Sequence, residues 1–189
     1  MPLDTIKAIH SRYSCRAFSD IAPADEILQT IAGAAVASPS GMNRQLWRVI
    51  IVKNKELIAE FEAEGMKNLA AFPDKSTYER IISRGGKLYY NAQCMIVVPV
   101  SKADPAGAEL FDCGIVSENI ALAAASLGVD SLICGLAAFS FAGDKGDYFK
   151  ERMGFPEGYE IGIAVLLGYA ETPGSKPHEP DMSKISWVE

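Results

Sequence analysis

The chain has few of the residues that build metal and disulfide sites. Its four cysteines are scattered with no CxxC pair, and the only histidines are His10 and His178. Structural zinc sites and disulfide frameworks need clustered Cys or His ligands, so this distribution favours neither. We therefore expect a protein without a metal site.

Long runs of one residue class are also lacking. No run of basic residues is longer than two and the formal net charge is −6, which disfavours a nucleic-acid partner. The longest apolar stretches, around residues 120–129 and 161–170, are too short to span a bilayer. The first residues lack a basic segment followed by an apolar run, so no signal peptide is predicted. These absences predict a cytoplasmic protein without a membrane partner.

Hydrophobic residues make up 49% of the 189-residue chain, enough to form a core. No internal repeat or linker divides the sequence, so we predict one domain over residues 1–189. The tail after residue 169 is rich in Pro, Gly and charge but closes with an apolar patch at residues 185–188. Such a tail frays unless it docks, either on its own domain or on a partner subunit.

Periodicity predicts alternating helices and strands. Helices are expected over 4–11 with Asp4 as N-cap, from 23–26 onward, and over 55–71, 76–90 (interrupted by Gly85 and Gly86), 109–127 and 147–153. Strands are expected over 46–53, 94–100, 131–134 and 161–168, where β-branched residues concentrate. Four strands separated by helical crossovers suggest an α+β or α/β sandwich.

The first candidate segment for chemistry is residues 12–18, here called the basic segment. Arg12, Ser14 and Arg16 alternate along it, and alternation in an extended chain places all three side chains on one side. Two guanidinium groups and a hydroxyl suit a phosphate or another polyoxygenated anion. The alternative is a solvated helix end that carries two surface arginines.

The second candidate is residues 38–45, here called the polar turn. It supplies hydroxyls, an amide pair and backbone N–H groups between a predicted helix and a predicted strand. Small-molecule sites often lie at such element ends. An ordinary turn is the alternative, because Ser, Pro, Gly and Asn are common turn residues.

Together the two segments resemble the signature segments of the nitroreductase family of FMN-dependent oxidoreductases. The family pattern is Arg-x-Ser-x-Arg-x-Phe, a helix, then Ala-Pro-Ser-x-x-Asn-x-Gln-Pro-Trp before a strand. Ser38 replaces the usual Ala and Leu46 the usual Pro. Further similarity lies in residues 118–128, at Gly135, and in residues 155–159, 167–169 and 176–178, so the resemblance covers about residues 5–178. The matching signature positions are Arg12, Ser14, Arg16, Phe18, Pro39, Ser40, Asn43, Gln45 and Trp47.

The resemblance implies an α+β fold: a three-layer α/β/α sandwich whose mainly antiparallel sheet is flanked by helices. It also implies a homodimer with FMN at the subunit interface and a C-terminal arm, about residues 170–189, that reaches the partner. Arg12 and Ser14 would hold the phosphate and ribityl chain, and Arg16 would lie near the pyrimidine. The polar turn would contact flavin from the other subunit, and the backbone near Gly135 would face N5. The implied cofactor-binding residues are Arg12, Tyr13, Ser14, Arg16, Pro39, Ser40, Gly41, Asn43, Gln45, Cys134, Gly135, Leu136, Lys176 and His178.

The resemblance leaves the roles of several residues undecided. His178 stands where the family commonly has Arg; it either binds phosphate with pH dependence or the tail runs differently here. A middle-region contact to the pyrimidine falls on Lys87 or Asn91. Lys67, Arg80 or Arg84 could meet a 2′-phosphate. Cys15 and Cys134 fall beside the site, and neither is given a catalytic role.

The implied activity is a ping-pong reaction in which NADH or NADPH gives a hydride to flavin N5. A nitroaromatic, quinone or similar electron-poor acceptor is then reduced in the same cleft. No side chain need act as an acid or base, because the cofactor performs the chemistry. The alternatives are a dehalogenase-like or flavin-fragmenting chemistry on the same fold, for which only about residues 68–84 could form a lid. A flavin-sequestering protein without turnover and an interaction module without a cofactor are further alternatives.

Overall fold

A computed structural model describes residues 4–102, 107, 109–172 and 177–189. In chain order the helices and strands are α1 (Thr5–Ser11), α2 (Asp25–Val36), β1 (Ile50–Val52), α3 (Lys55–Ala71), α4 (Ser76–Ile82), β2 (Cys94–Ser101), α5 (Glu109–Ser126), β3 (Asp130–Cys134), α6 (Ala138–Phe141), α7 (Gly146–Met153) and β4 (Tyr159–Gly168). Short 3₁₀ turns occur at Gly41–Asn43, Gly135–Ala137 and Met182–Lys184. The helix from Asp4 is confirmed, since the Asp4 carboxylate accepts a hydrogen bond from the Lys7 backbone N–H.

The strands form one antiparallel sheet in the order β1-β2-β4-β3. β2 and β4 are the central strands, and every residue of β2 is buried. β3 is therefore an edge of this sheet, and its free side is available for pairing with another segment of the chain.

β1 is shorter than the predicted strand over 46–53. Trp47 still bridges Val100, in the same register that pairs Ile50 with Val97. Between these pairs the Arg48 N–H donates to the Pro99 carbonyl at 3.0 Å. Because proline has no N–H to return that bond, the ladder breaks opposite Pro99.

α4 is also shorter than predicted. It ends at Ile82, and Gly85 and Gly86 follow with φ of 98° and 71°. These left-handed values stop a helix, and glycine adopts them without steric cost. The predicted helix over 76–90 was therefore wrong beyond this point, while Gly128, with φ of 74°, does end α5 as predicted.

Hydrophobic clusters cover both faces of the sheet. On one face α3, α6 and α7 pack against alternate strand residues, with Phe61 at the centre, 4.8 Å from Phe141 and 5.1 Å from Phe149 between ring centroids. On the other face α2 and α5 pack against the intervening residues, such as Ile96 and Val165. Helices on both sides of an antiparallel sheet confirm the predicted α+β three-layer fold.

α5 lies close against the sheet at Gly162. A Cβ atom there would stand 2.6 Å from the Cys113 sulfur and 2.8 Å from the Val98 carbonyl oxygen. The glycine in β4 thus permits the approach of the helix that later connects the two candidate segments.

Outside this packing, residues 178–189 at the end of the tail are exposed. Trp187 is 88% exposed and Val188 99%, and Met182 and Ile185 are also exposed. The alternative in which this apolar patch packs on its own domain is thus not what the structure has. None of the helices in the described ranges combines the length and apolar character that crossing a membrane requires.

Candidate functional site

The basic segment lies along the free edge of β3. α1 ends at Ser11, and the chain continues extended, with Arg12 at φ −61° and ψ 138°. Ser14 forms a parallel bridge with Ser131, and the Cys15 N–H donates to the Ser131 carbonyl at 2.9 Å. An extended backbone explains why Cys15 is buried while the Arg16 side chain is exposed. The structure thus shows an extended segment, while Arg12 and Arg16 line different cavities.

The two arginines of this segment have different partners. The Arg12 Nε lies 3.7 Å from a Glu118 carboxylate oxygen on α5. The Arg16 guanidinium donates to the Ser14 carbonyl oxygen at 3.3 Å, and no carboxylate pairs with it in the described part of the chain. Arg16 therefore keeps most of its donors available for an anionic ligand.

The chain after β3 meets Arg16 at an open cavity of about 280 Å³. Cys134, Gly135 and Leu136 line one side of it. Gly135 is exposed, and an added Cβ would meet nothing nearer than Ile163 Cδ1 at 3.9 Å. A flat ligand can therefore approach the backbone here, beside a permanent positive charge.

Two further arginines also line this cavity. The local sequence pattern did not predict their position. Arg80 belongs to the last turn of α4, and Arg84 follows that helix. Their four-residue spacing was visible in the sequence as a shared helical face, although nothing local indicated what this face would meet. Tyr90, with φ of 52°, is a further lining residue that sequence reasoning missed.

Lys87 and Asn91, the open pair for a middle-region contact, line the neighbouring cavity of about 320 Å³ with Arg16. The Asn91 amide nitrogen donates to the Phe18 carbonyl and to an Asp20 carboxylate oxygen, both at 3.0 Å. The amide oxygen accepts from Lys87 at 3.3 Å. Asn91 is thus engaged in holding the end of the basic segment.

The polar turn is tightly organised and exposed. The Gln45 N–H donates to the Ser40 hydroxyl at 2.9 Å, and its side-chain amide donates to the Asn43 amide oxygen at 2.9 Å. The Gly41 N–H donates to the Asp112 carboxylate at 3.1 Å. Asn43 and Gln45 have φ of 55° and 50°, values that cost free energy for residues other than glycine.

The structure does not bring the polar turn to the cavity of Arg16 and Gly135. The predicted contacts Pro39, Ser40, Gly41, Asn43 and Gln45 are absent from its lining. The turn connects to the basic segment through α5. There the Asn119 amide donates to the Ser38 hydroxyl at 2.8 Å, next to the Glu118 that pairs with Arg12.

At the C-terminal end, Lys176 lies outside the described residues. His178 is exposed and lines a cavity of about 590 Å³ together with Arg12, His10 and Glu118. His178 therefore lies on the Arg12 side of the basic segment. Both histidines of the chain line this cavity.

Burial keeps the phenol and thiols near the site protonated. It raises the pKa of Tyr13, with a further contribution from the hydrogen bond to Asp130. Burial likewise raises the pKa of Cys15, and that of Cys134 to about 11. A thiol with so high a pKa is a poor nucleophile at neutral pH, which agrees with giving neither cysteine a catalytic role. Among the described residues, no three His, Cys, Asp or Glu side chains cluster as metal ligands would.

A nitroreductase family model matches residues 9–169 of this chain. The chain belongs to the nitroreductase family. A solved nitroreductase with bound FMN from Desulfitobacterium hafniense is 54% identical, with a TM-score of 0.95 and full coverage of both chains. Another with bound FMN, from Bacteroides fragilis, is 26% identical with a TM-score of 0.88, covering 99% of this chain and all of that one.

A sequence relative from Archaeoglobus fulgidus carries a name that suggests an electron donor. It is named as a candidate NADH dehydrogenase/NAD(P)H nitroreductase and is 30% identical, over 88% of this chain and 85% of its own length. Family membership makes this nitroreductase-family chain an oxidoreductase and confirms the resemblance seen in the sequence.

Proposed function

We propose that this protein binds FMN and uses NADH or NADPH to reduce nitroaromatic, quinone or similar electron-poor acceptors. The observation that carries the proposal is the convergence of Arg16 and the Gly135 backbone on one open cavity. The FMN bound in the D. hafniense and B. fragilis nitroreductases supports the cofactor. The name of the A. fulgidus relative supports the donor.

The donor set of this chain fits FMN, which combines a phosphate monoester with a flat ring that carries carbonyl oxygens. Arg12 and Ser14 lie along the β3 edge and offer a cation and a hydroxyl for the phosphate end. Gly135 leaves a flat, open backbone for the ring. We assign Tyr13, Cys134 and Leu136 to the wall around this site, and Lys176 and His178 to the phosphate end.

When bound, FMN accepts and donates hydride at N5. Arg16 contributes a fixed positive charge beside Gly135, where it favours the more negative form of a bound ligand. Tyr13 and the nearby thiols stay neutral, so they add no competing negative charge. In this proposal the protein binds and orients the reactants and supplies the electrostatic field, and no side chain needs to act as an acid or base.

We further propose that the site is completed by a second copy of the chain. The exposed polar turn would contact FMN held by the partner's basic segment, since it does not line the cavity within its own subunit. Exposed apolar residues support such an interface: Leu110, Phe111 and Ile115 lie on α5, and Trp187 lies in the tail. The tail, from about residue 170, would then lie across the partner subunit.

The first test is the visible spectrum of protein incubated with excess FMN and desalted. A retained flavin spectrum is expected; a colourless protein would contradict the FMN proposal. NADH or NADPH should then bleach the flavin without oxygen, and a nitroaromatic compound or quinone should restore the colour. Retained flavin that neither donor bleaches would contradict the oxidoreductase assignment and indicate sequestration.

A further inference from the structure

Three guanidinium groups converge on the cavity beside Gly135. Arg16 comes from the basic segment, while Arg80 and Arg84 come from α4 and the turn that follows it. Among the described residues no carboxylate lines this cavity, and the lining is otherwise apolar side chains, Tyr90, backbone and a neutral thiol. The cavity wall therefore carries three positive charges with no negative charge to offset them.

Arg80 and Arg84 are both exposed and contribute nothing to the core. Arg80 and Arg84 are four residues apart and line the same cavity, and the Arg84 N–H donates to the Ile81 carbonyl at 3.0 Å in the turn that follows α4. Like charges at this spacing repel each other. Neither guanidinium pairs with a carboxylate within the parts of the chain described, whereas Lys150, for comparison, lies 2.7 Å from Glu160. The cations at this cavity are therefore uncompensated.

The neighbouring cavity gives an internal comparison. Arg16 and Arg84 reach it as well, together with Lys87, but Asp20 and Glu171 also line it. Its positive charge is thus partly offset, so an anion would be held better at the cavity of Gly135.

We propose that Arg80 and Arg84, together with Arg16, recognise a carboxylate or phosphate group on the small molecule that exchanges electrons in this cavity. The planar guanidinium fork matches both oxygen groups, and charge-assisted hydrogen bonds to it are stronger than neutral ones. The inference rests on the proposed function and adds a substrate class: molecules with an anionic oxygen group. That group has two possible sources, the 2′-phosphate of NADPH or a carboxylate on the acceptor.

The test compares matched ligand pairs. With NADH as donor, kcat/KM is measured for 4-nitrobenzoate and for its neutral analogue 4-nitrobenzamide. With 4-nitrobenzamide as acceptor, it is measured for NADPH and NADH. The variants are the double substitution Arg80→Gln and Arg84→Gln, its charge-retaining counterpart Arg80→Lys and Arg84→Lys, and the control Arg152→Gln.

The native protein should prefer the charged member of at least one pair. The Gln double variant should reduce that preference about tenfold, mainly through KM, because two charge contacts are lost. The Lys double variant should keep part of the preference and the Arg152 control all of it. Loss of the nitrobenzoate preference would identify an acceptor carboxylate, and loss of the NADPH preference would identify the 2′-phosphate.

Binding provides a readout that needs no turnover. Calorimetry with unreactive benzoate and benzamide, and with NADP⁺ and NAD⁺, should show the same preferences and the same losses. A protein that retains FMN, is reduced by NADH, and yet shows no preference for either charged ligand would overturn this inference alone. Equal losses for charged and neutral ligands in the Gln variant would overturn it as well. Failure to retain FMN would contradict the proposed function instead.

Discussion

Substitution of Gly135 tests the cofactor assignment without disturbing the fold. Its φ lies outside the left-handed region, and an added Cβ would meet nothing nearer than Ile163 Cδ1 at 3.9 Å, an ordinary contact distance. Gly135→Ala should therefore fold normally. Replacing glycine at a compatible position stabilises a protein by about 0.4–1 kcal/mol through the unfolded chain. The melting temperature should stay unchanged or rise by up to about 4 °C.

The same methyl group should harm function. If a flat cofactor rests on this backbone, the substitution displaces it by about 1 Å, which forfeits roughly a quarter to a half of the dispersion energy of each contact. A misplacement of about 1 Å can also lower turnover about 100-fold. We therefore expect weaker FMN binding, by about tenfold or more, and slower reduction by NADH in a protein of normal stability.

Gly168→Ala is the matched control. Its Cβ would stand 2.8 Å from Phe18 Cδ1, in the buried ring that ends the basic segment. Overpacking of this kind costs about 1–3 kcal/mol, so this variant should melt earlier. FMN titration by fluorescence, stopped-flow reduction and thermal melts distinguish the two substitutions. If Gly135→Ala keeps native FMN affinity and reduction rate, the cofactor does not lie on this backbone; if it melts early, the argument from open space is wrong.

Three further predictions concern charge, thiols and a buried hydrogen bond. Arg16→Ala should fold and bind FMN more weakly. Its flavin midpoint potential should fall by about 30 mV for each tenfold loss of affinity that is specific to reduced flavin. An unchanged potential would remove Arg16 from this role. Because burial raises the pKa of Cys134 to about 11 and all four cysteines are buried, iodoacetamide near neutral pH should spare them until the protein is denatured; rapid labelling of native protein would contradict this. Ser140→Ala removes the hydroxyl that lies 2.5 Å from the buried Tyr89 hydroxyl and should lower the free energy of unfolding by about 1–3 kcal/mol. Adding Tyr89→Phe should recover part of that loss in denaturant titrations.

Local patterning predicted most elements because their burial follows a simple period. β2 and β4 are rich in β-branched and aliphatic residues, as central strands covered on both faces usually are. Errors occurred where a single residue interrupts an element. Pro99 in β2, for example, cannot return the hydrogen bond from Arg48, so β1 is shorter than predicted. The four-residue helix α6 was missed because so short a segment shows no periodicity.

The sequence predicted the two segments of the candidate site, but not where they lie relative to the other elements of the fold. The types of residue in the basic segment indicated an anion. Its position beside β3, however, depends on the bridge between Ser14 and Ser131, which are far apart in the sequence. Arg80 and Arg84 were seen only as possible 2′-phosphate contacts, because their approach to Gly135 is a tertiary feature.

α5 contacts both the basic segment and the polar turn. Glu118 pairs with Arg12 and Asn119 binds Ser38, and successive helical residues point about 100° apart. One helix thus holds each segment through a different side chain, and the polar turn does not line the cavity of Gly135 within its own subunit. In the proposed dimer, a ligand that contacts both segments would take one from each copy, as two-fold symmetry allows.

Mixed dimers test this arrangement directly. A dimer of one Arg16→Ala subunit and one Asn43→Ala subunit would contain one doubly altered site and one site with neither substitution. It should bind about half the FMN of the native dimer at native affinity, while each parent homodimer binds weakly at both sites. Differently tagged subunits allow the mixed dimer to be isolated and its flavin content measured. Uniformly weak binding in the mixed dimer would show that both residues act on the same subunit. Native binding by the Asn43→Ala homodimer would show instead that Asn43 does not contact the cofactor.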